Sequence, residues 1–98
     1  MTQTEAEDLL QWHIDKAAAE VDEWVEVPLA EHEKAALTDF TYNVGSNSLA
    51  HSTLLKKLNQ GDKEATAREF GKWVHGDGQV LPGLVTRRQE NEKMFRGK

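Results

Sequence analysis

Residues 37–58 read Leu-Thr-Asp-Phe-Thr-Tyr-Asn-Val-Gly-Ser-Asn-Ser-Leu-Ala-His-Ser-Thr-Leu-Leu-Lys-Lys-Leu. Leu37, Phe40 and Val44 recur at intervals of three and four, so they share one face of a helix. Gly45 is placed to stop that helix, because glycine enters the left-handed region at little cost. Ser46 to His51 make a connector with room for one helical turn. Ser52 or Thr53 then caps a second apolar helix, Leu54 to Gln60, which Gly61 ends. The stretch predicts two short helices joined by a tight corner.

The same spacing extends in both directions. Leu10, Ile14, Ala17, Val21 and Trp24 follow at steps of four, three, four and three, one apolar stripe on a helix from about 3 to 24. Such a helix is roughly 33 Å long at 1.5 Å per residue. Thr2 with Glu5, or Thr4 with Glu7, fits the reciprocal hydroxyl–carboxylate cap at its start. Val27 precedes Pro28 and is pushed out of the α region, so the helix ends before it. The helix containing Phe40 begins near Ala30, with Glu33 on the line of Leu37 and Phe40. Downstream, Asp62 is a good N-cap for a helix whose inner face is Ala67, Phe70, Trp73 and Val74. Gly76-Asp77-Gly78 breaks the chain, and Pro82 suits the first turn of a last helix reaching about Phe95. Alternation is confined to Val25–Val27, too short to make a strand. Residues 1–98 are therefore expected to form one all-α domain, a small orthogonal bundle of about five helices. Leu37, Phe40, Leu54, Leu58, Phe70, Trp73 and Leu84 should be its most buried side chains.

Composition narrows the function classes. A net charge of −5 argues against nucleic acid, whose phosphates demand clustered Lys and Arg. It also weakens attraction to a carboxylate-bearing glycan. No apolar run approaches the roughly 18 residues of a membrane span, and the polar, acidic start Met-Thr-Gln-Thr-Glu carries no signal peptide. Cysteine is absent, which removes thiol catalysis and thiolate metal sites together. His13, His32, His51 and His75 lie on separate elements without ligand spacing, so no metal or cofactor is expected. Ser46, Ser48 and Ser52 have no base in any nucleophile pattern. Among the 17 acidic residues, Glu5, Glu7, Asp8, Glu31 and Glu33 suit helix N-termini. Asp39 alone lies mid-helix beside an apolar face, as a solvated or salt-bridged residue or as a catalyst.

Two positions keep two readings open. Asn43 offers donor and acceptor to a sugar amide, or caps its own helix; Tyr42 beside it contacts sugar or fills the core edge. Trp73 is a core residue or a platform on which a sugar stacks.

The order of apolar helix, Asn43-Val44-Gly45, connector and Ser52-Thr53 cap resembles the helical lobe of phage-type lysozymes, glycoside hydrolase family 24. Leu58-Asn59-Gln60-Gly61-Asp62, Phe70, Trp73 and Gly83-Leu84-Val85-Thr86-Arg87-Arg88 extend the resemblance from about Thr2 to Phe95. It implies an endolysin-like muramidase, made in the bacterial cytoplasm and acting on cell-wall peptidoglycan. Asn43, Tyr42 and Gly45 would lie at the back of the glycan cleft, and Arg87 and Arg88 would face acids of the catalytic lobe. The family commonly has Glu three residues after the second arginine; Asn91 stands there, leaving Glu92 as the acid Arg88 would reach. The family's catalytic Glu, Asp and Thr, with the Gly-Tyr-Gly-His that follows, have no match in these 98 residues. The resemblance thus implies a phage or prophage lobe lacking the catalytic half, inactive by itself or completed by a separate polypeptide. Without that half, Leu9, Leu10, Trp12 and Ile14 of the first helix should project and hold a homo-oligomer together. Peptidoglycan and a separate catalytic lobe are the other expected partners, and neither nucleic acid nor a membrane is among them.

Overall fold

The computed structural model describes residues 3–76 and 79–97, with the backbone alone for 3–9 and for 75–76. The caps expected from Thr2 or Thr4, the side chain of Leu9, and Asp77-Gly78 lie outside the described residues or side chains. Six helices follow in order: α1 (Gln3–Trp24), α2 (Glu31–Val44), α3 (Ser46–Ala50), α4 (Thr53–Asn59), α5 (Lys63–Glu69) and α6 (Pro82–Arg96). A 3₁₀ turn, Phe70–Lys72, extends α5. A two-residue antiparallel ladder then pairs β1 (His75–Gly76) with β2 (Gln79–Val80). The fold is all-α apart from that ladder, which occupies the place where the sequence predicts only a break.

Local chemistry sets the boundaries. Ala30 is extended and its N–H donates to Glu33 Oε1 at 2.8 Å, which starts α2. Gly45, at φ 92°, ends it and turns the chain into α3, the turn expected within the connector. Ser52 Oγ accepts from the Leu55 N–H, and Asp62 Oδ1 accepts from the Ala65 N–H; both are about 3.0 Å caps of the expected kind. Pro82 occupies the first turn of α6.

The core gathers around Phe40. Its ring lies 5.3 Å from Phe70 and 5.4 Å from Trp73, nearly perpendicular to both, and Phe70 in turn meets Phe95 at 5.6 Å. Leu37, Leu49, Leu54, Leu58 and Val21 close the cluster. Each such side chain stabilises by about 1.5–3 kcal/mol relative to exposure, and edge-to-face pairs add about 0.5–1.5 kcal/mol.

Three expectations need correction. Trp73 and Leu84 are half-buried rather than central. The α5 helix stops at Glu69 and tightens to three residues per turn, so Trp73 leaves the line of Ala67 and Phe70 and packs on the rim. Leu84 sits in the first turn of α6, at the open end of that helix. The stripe on α1 is buried only at Ala17 and Val21; Leu10 is 47% exposed and Trp24 40%. The reason is length, since α1 has 22 residues and α2, its main partner, only 14.

Where α1 ends, Asn59 ties the chain down. Its Oδ1 accepts from the Glu26 N–H (2.8 Å) and its Nδ2 donates to the Trp24 carbonyl (3.0 Å). Among the described residues, no helix is long and apolar enough to cross a membrane.

Candidate functional site

The last turn of α2 and the first turns of α6 lie side by side, and they bring two of the expected residues together. Arg87 Nη1 donates to Asn43 Oδ1 at 2.7 Å, while Asn43 Nδ2 donates back to the Asp39 carbonyl at 3.2 Å. Asn43 therefore secures its own helix end and also holds Arg87. Both residues are exposed, so the remaining amide and guanidinium N–H groups face solvent as donors. Gly45 makes this corner possible through its positive φ rather than through lack of room, since a Cβ there would meet nothing within 4 Å.

Beside the pair lies a depression of about 400 Å³ lined by Asn43, Val44, Lys72, Trp73, Leu84 and Arg88. Trp73 packs one edge on Phe40 and lines this surface hollow. Lys72 at the rim pairs with the buried Glu69 carboxylate at 2.7 Å. Cations and an indole around one hollow, with amide donors at its mouth, form a surface suited to a polar, acetamido- or carboxylate-bearing ligand.

Arg88 is not the surface partner of Glu92 that the sequence suggested. It is 1% exposed and lies over the Phe40 ring, 5.3 Å from Cζ to centroid, while Glu92 is bonded to Arg96. Burial pushes the Arg88 pKa down; the Asp39 carboxylate counters this, and Arg87 adds to it. Leu84, Arg88, Asn91 and Phe95 follow at steps of four, three and four, a stripe that could have been read from the sequence. An arginine on such a stripe is easily taken for a surface residue, which is why the spacing was passed over.

Asp39 Oδ2 accepts the Asn91 amide at 2.8 Å across the α2–α6 interface, and Asp39 also lines the groove between α1 and α2. Among the described residues, no group of three His, Cys, Asp or Glu side chains is placed to hold a metal ion.

Tyr42, adjacent to Asn43 in sequence, points to a different face. It is exposed, its ring 6.4 Å from that of His13, and it lines a groove of about 490 Å³ between α1 and α2 with Ile14, Ala35 and Thr38 and the charged Glu31, Lys34 and Asp39. The structure therefore does not unite Tyr42 with the Asn43 site, because successive residues on a helix diverge by about 100°. Farther along α1, Trp12 is 55% exposed, stacked edge-on against His13 at 4.9 Å with Lys16 Nζ 5.5 Å above its ring.

Glu33, expected in the first turn of α2 and on the line of Leu37 and Phe40, is buried. Burial pushes its carboxyl up, but the Ala30 N–H and Lys63 Nζ (2.9 Å) outweigh that and hold it below the ordinary carboxylate range.

The family model described as phage lysozyme matches residues 1–91. An endolysin of Acyrthosiphon pisum secondary endosymbiont phage 1 is 37% identical over 99 residues, covering 97% of this chain and 68% of that protein. An endolysin of Bacillus phage B103 is also 37% identical, over 95 residues, covering 97% of this chain but 36% of that protein. Among solved structures, the muramidase domain of SpmX from Asticaccaulis excentricus superposes with a TM-score of 0.87 at 27% identity, covering 97% of this chain and 67% of that one. The chain spans about two thirds of the first and third of these and about one third of the second.

Proposed function

Since the chain belongs to the phage lysozyme family, we propose that it forms the helical lobe of a peptidoglycan hydrolase and supplies glycan-contacting surface rather than the acid–base chemistry. The observation that carries this reading is the Asn43–Arg87 pair at the mouth of the Trp73 hollow. It presents amide and guanidinium donors where a polysaccharide with acetamido and carboxylate groups would bind. Glycoside hydrolysis needs a carboxylic acid at the leaving oxygen and a second carboxyl at the anomeric centre. Asp39, the one acid considered for that chemistry, is engaged with Asn91. The 98 residues by themselves are thus proposed to bind without cutting. Cutting would follow when a lobe carrying the Glu, Asp and Thr is supplied on another polypeptide.

Turbidity of permeabilised Gram-negative cells tests the first half of this reading. The purified chain should give no clearing, and clearing that disappears in Asp39→Asn would overturn the role given to Asp39. Addition of a separately expressed catalytic lobe should restore clearing, and Arg87→Ala should lower it. Unaltered clearing in that variant would remove Arg87 from the glycan surface.

A second reading rests on a separate observation, the exposed Leu10 and Trp12 beside the α1–α2 groove containing Ile14. Isolated apolar residues on a surface are common, but two on one helix next to an apolar groove favour association. The chain is accordingly proposed to self-associate through α1. Light scattering at rising concentration should give a mass above the monomer, reduced by Leu10→Glu with Trp12→Glu. A monomeric mass for the unaltered chain at the highest concentration removes this reading.

A further inference from the structure

Five buried side-chain atoms at the α2–α6 interface lack a hydrogen-bond partner: Thr41 Oγ1, Arg88 Nε, Nη1 and Nη2, and Asn91 Oδ1. They come from three residues, each 2% exposed or less. Buried polar groups are almost always satisfied, and a buried guanidinium especially so, because its charge has been taken out of water. Arg88 cannot shed that charge at any ordinary pH. Asp39 Oδ2 accepts the Asn91 amide, Glu69 pairs with Lys72 and Glu92 with Arg96. Asp39 offsets part of the Arg88 charge through space, yet no carboxylate accepts a hydrogen bond from the guanidinium.

The Arg88 side chain also forms part of the wall of two hollows. One is the 400 Å³ depression with Trp73 and Leu84, and the other, of about 390 Å³, is lined also by Val74, Gln89, Glu92, Lys93 and Arg96. The three unpartnered guanidinium nitrogens match a planar monovalent carboxylate. Such an anion accepts two N–H groups side by side from a guanidinium. The nitrogens are shielded from solvent behind the wall of the hollow, where Trp73 and Leu84 are half-buried.

We infer that Arg88 forms a carboxylate-binding site reached from the Trp73 hollow. A free small anion and a carboxylate carried on a glycan offer the site the same chemistry. Only the second source rests on the glycan-contacting role proposed above.

The two sources are separated by titrating ¹⁵N-labelled full chain with sodium acetate, N-acetylmuramic acid and N-acetylglucosamine at constant ionic strength. The readout is the Arg88 Nε–H resonance and the backbone amides of Thr41, Arg88 and Asn91. Acetate and N-acetylmuramic acid should both give saturable shifts, and N-acetylglucosamine, which has no carboxylate, none. Asn91→Glu places a carboxylate one helical turn from Arg88, and it should abolish the response. Arg88→Gln, which keeps a polar side chain without the charge, should abolish the response whether or not Asn91→Glu folds.

Absence of a saturable shift with every carboxylate overturns the site. So does a response that survives unchanged in Arg88→Gln or in a folded Asn91→Glu. A response to acetate without one to N-acetylmuramic acid keeps the site and counts against glycan delivery of the carboxylate. Equal response to both sugars with none to acetate overturns the carboxylate assignment and leaves the glycan-contacting role standing.

Discussion

On one flank of α2, Ala36, Leu37 and Phe40 are fully buried in a dry cluster with Phe70, Leu54 and Leu58. On the other flank, Asp39 and Asn43 reach α6 through single hydrogen bonds to Asn91 and Arg87. The first flank gains free energy from area removed from water, which does not depend on direction. The second exchanges water for protein partners at little net gain, about 0.5–1.5 kcal/mol per bond, yet each bond fixes an orientation. The dry flank therefore sets how stable the bundle is. The polar flank sets where the donors point, and it borders the hollow with Trp73 and the buried Arg88 guanidinium.

The largest test of that division is Phe40→Ala. Phe40 is fully buried and touches Phe70, Trp73 and the Arg88 guanidinium at once. Its loss should cost about 3–5 kcal/mol, a large share of the stability of so small a domain. Urea denaturation followed by circular dichroism measures it. A cost under about 1 kcal/mol would mean that the dry flank does not hold the bundle.

Glu33→Gln probes the buried ionic contact at the opposite end of α2. At about pH 7 the change should cost about 1.5–3 kcal/mol, the range for hydrogen bonds to charged groups. The Glu33 carboxyl is held below its ordinary value by the Ala30 N–H and Lys63 against the opposing effect of burial. Its stabilisation is therefore complete above the unfolded carboxylate value, about 4.3, and is lost as pH falls through the lower folded value. The gap between wild type and variant should shrink from about pH 7 to about pH 3. A gap of constant size would show that ionisation is not its source.

Trp73→Ala should cost less than Phe40→Ala, about 1–2 kcal/mol, because Trp73 is half-buried on the rim. The same denaturation experiment ranks the two. Equal costs would restore Trp73 to the centre of the core, where periodicity alone had put it.

That misplacement shows what could and could not be read from residues. Gly45, Ser52, Gly61, Asp62 and Pro82 were legible because each acts on its own backbone or on an amide within three residues. Leu37, Phe40 and Phe70 were legible because their helices keep one period across the buried face. Trp73 was not, since it assumed that α5 would stay α-helical, and the tightening at Phe70 lies below what spacing reports. The burial of Arg88 and the cross-links made by Asn59 and Asn91 depend on which helix meets which, over sequence separations of 35 and 52 residues. The site was half legible for the same reason. Asn43 and Arg87 were each singled out, but their bond spans 44 residues, and Tyr42 was assigned to their face by adjacency alone.

The smallest effect expected is also the one that isolates the polar flank. Asn43→Ala and Arg87→Ala, made singly and together, form a cycle whose coupling energy reports the 2.7 Å bond between them. Both side chains are exposed, so screening and side-chain entropy hold the coupling to about 0.2–1 kcal/mol. Asn43 also donates to the Asp39 carbonyl, a contact that Arg87→Ala leaves intact, so Asn43→Ala should be the costlier single change. Raising ionic strength should barely alter the coupling, because only one partner is charged. If the coupling instead exceeded about 1.5 kcal/mol, α2 and α6 would be held together by this contact rather than merely oriented by it. The division between a stabilising flank and an orienting one would then fail at the very place where the glycan surface is proposed.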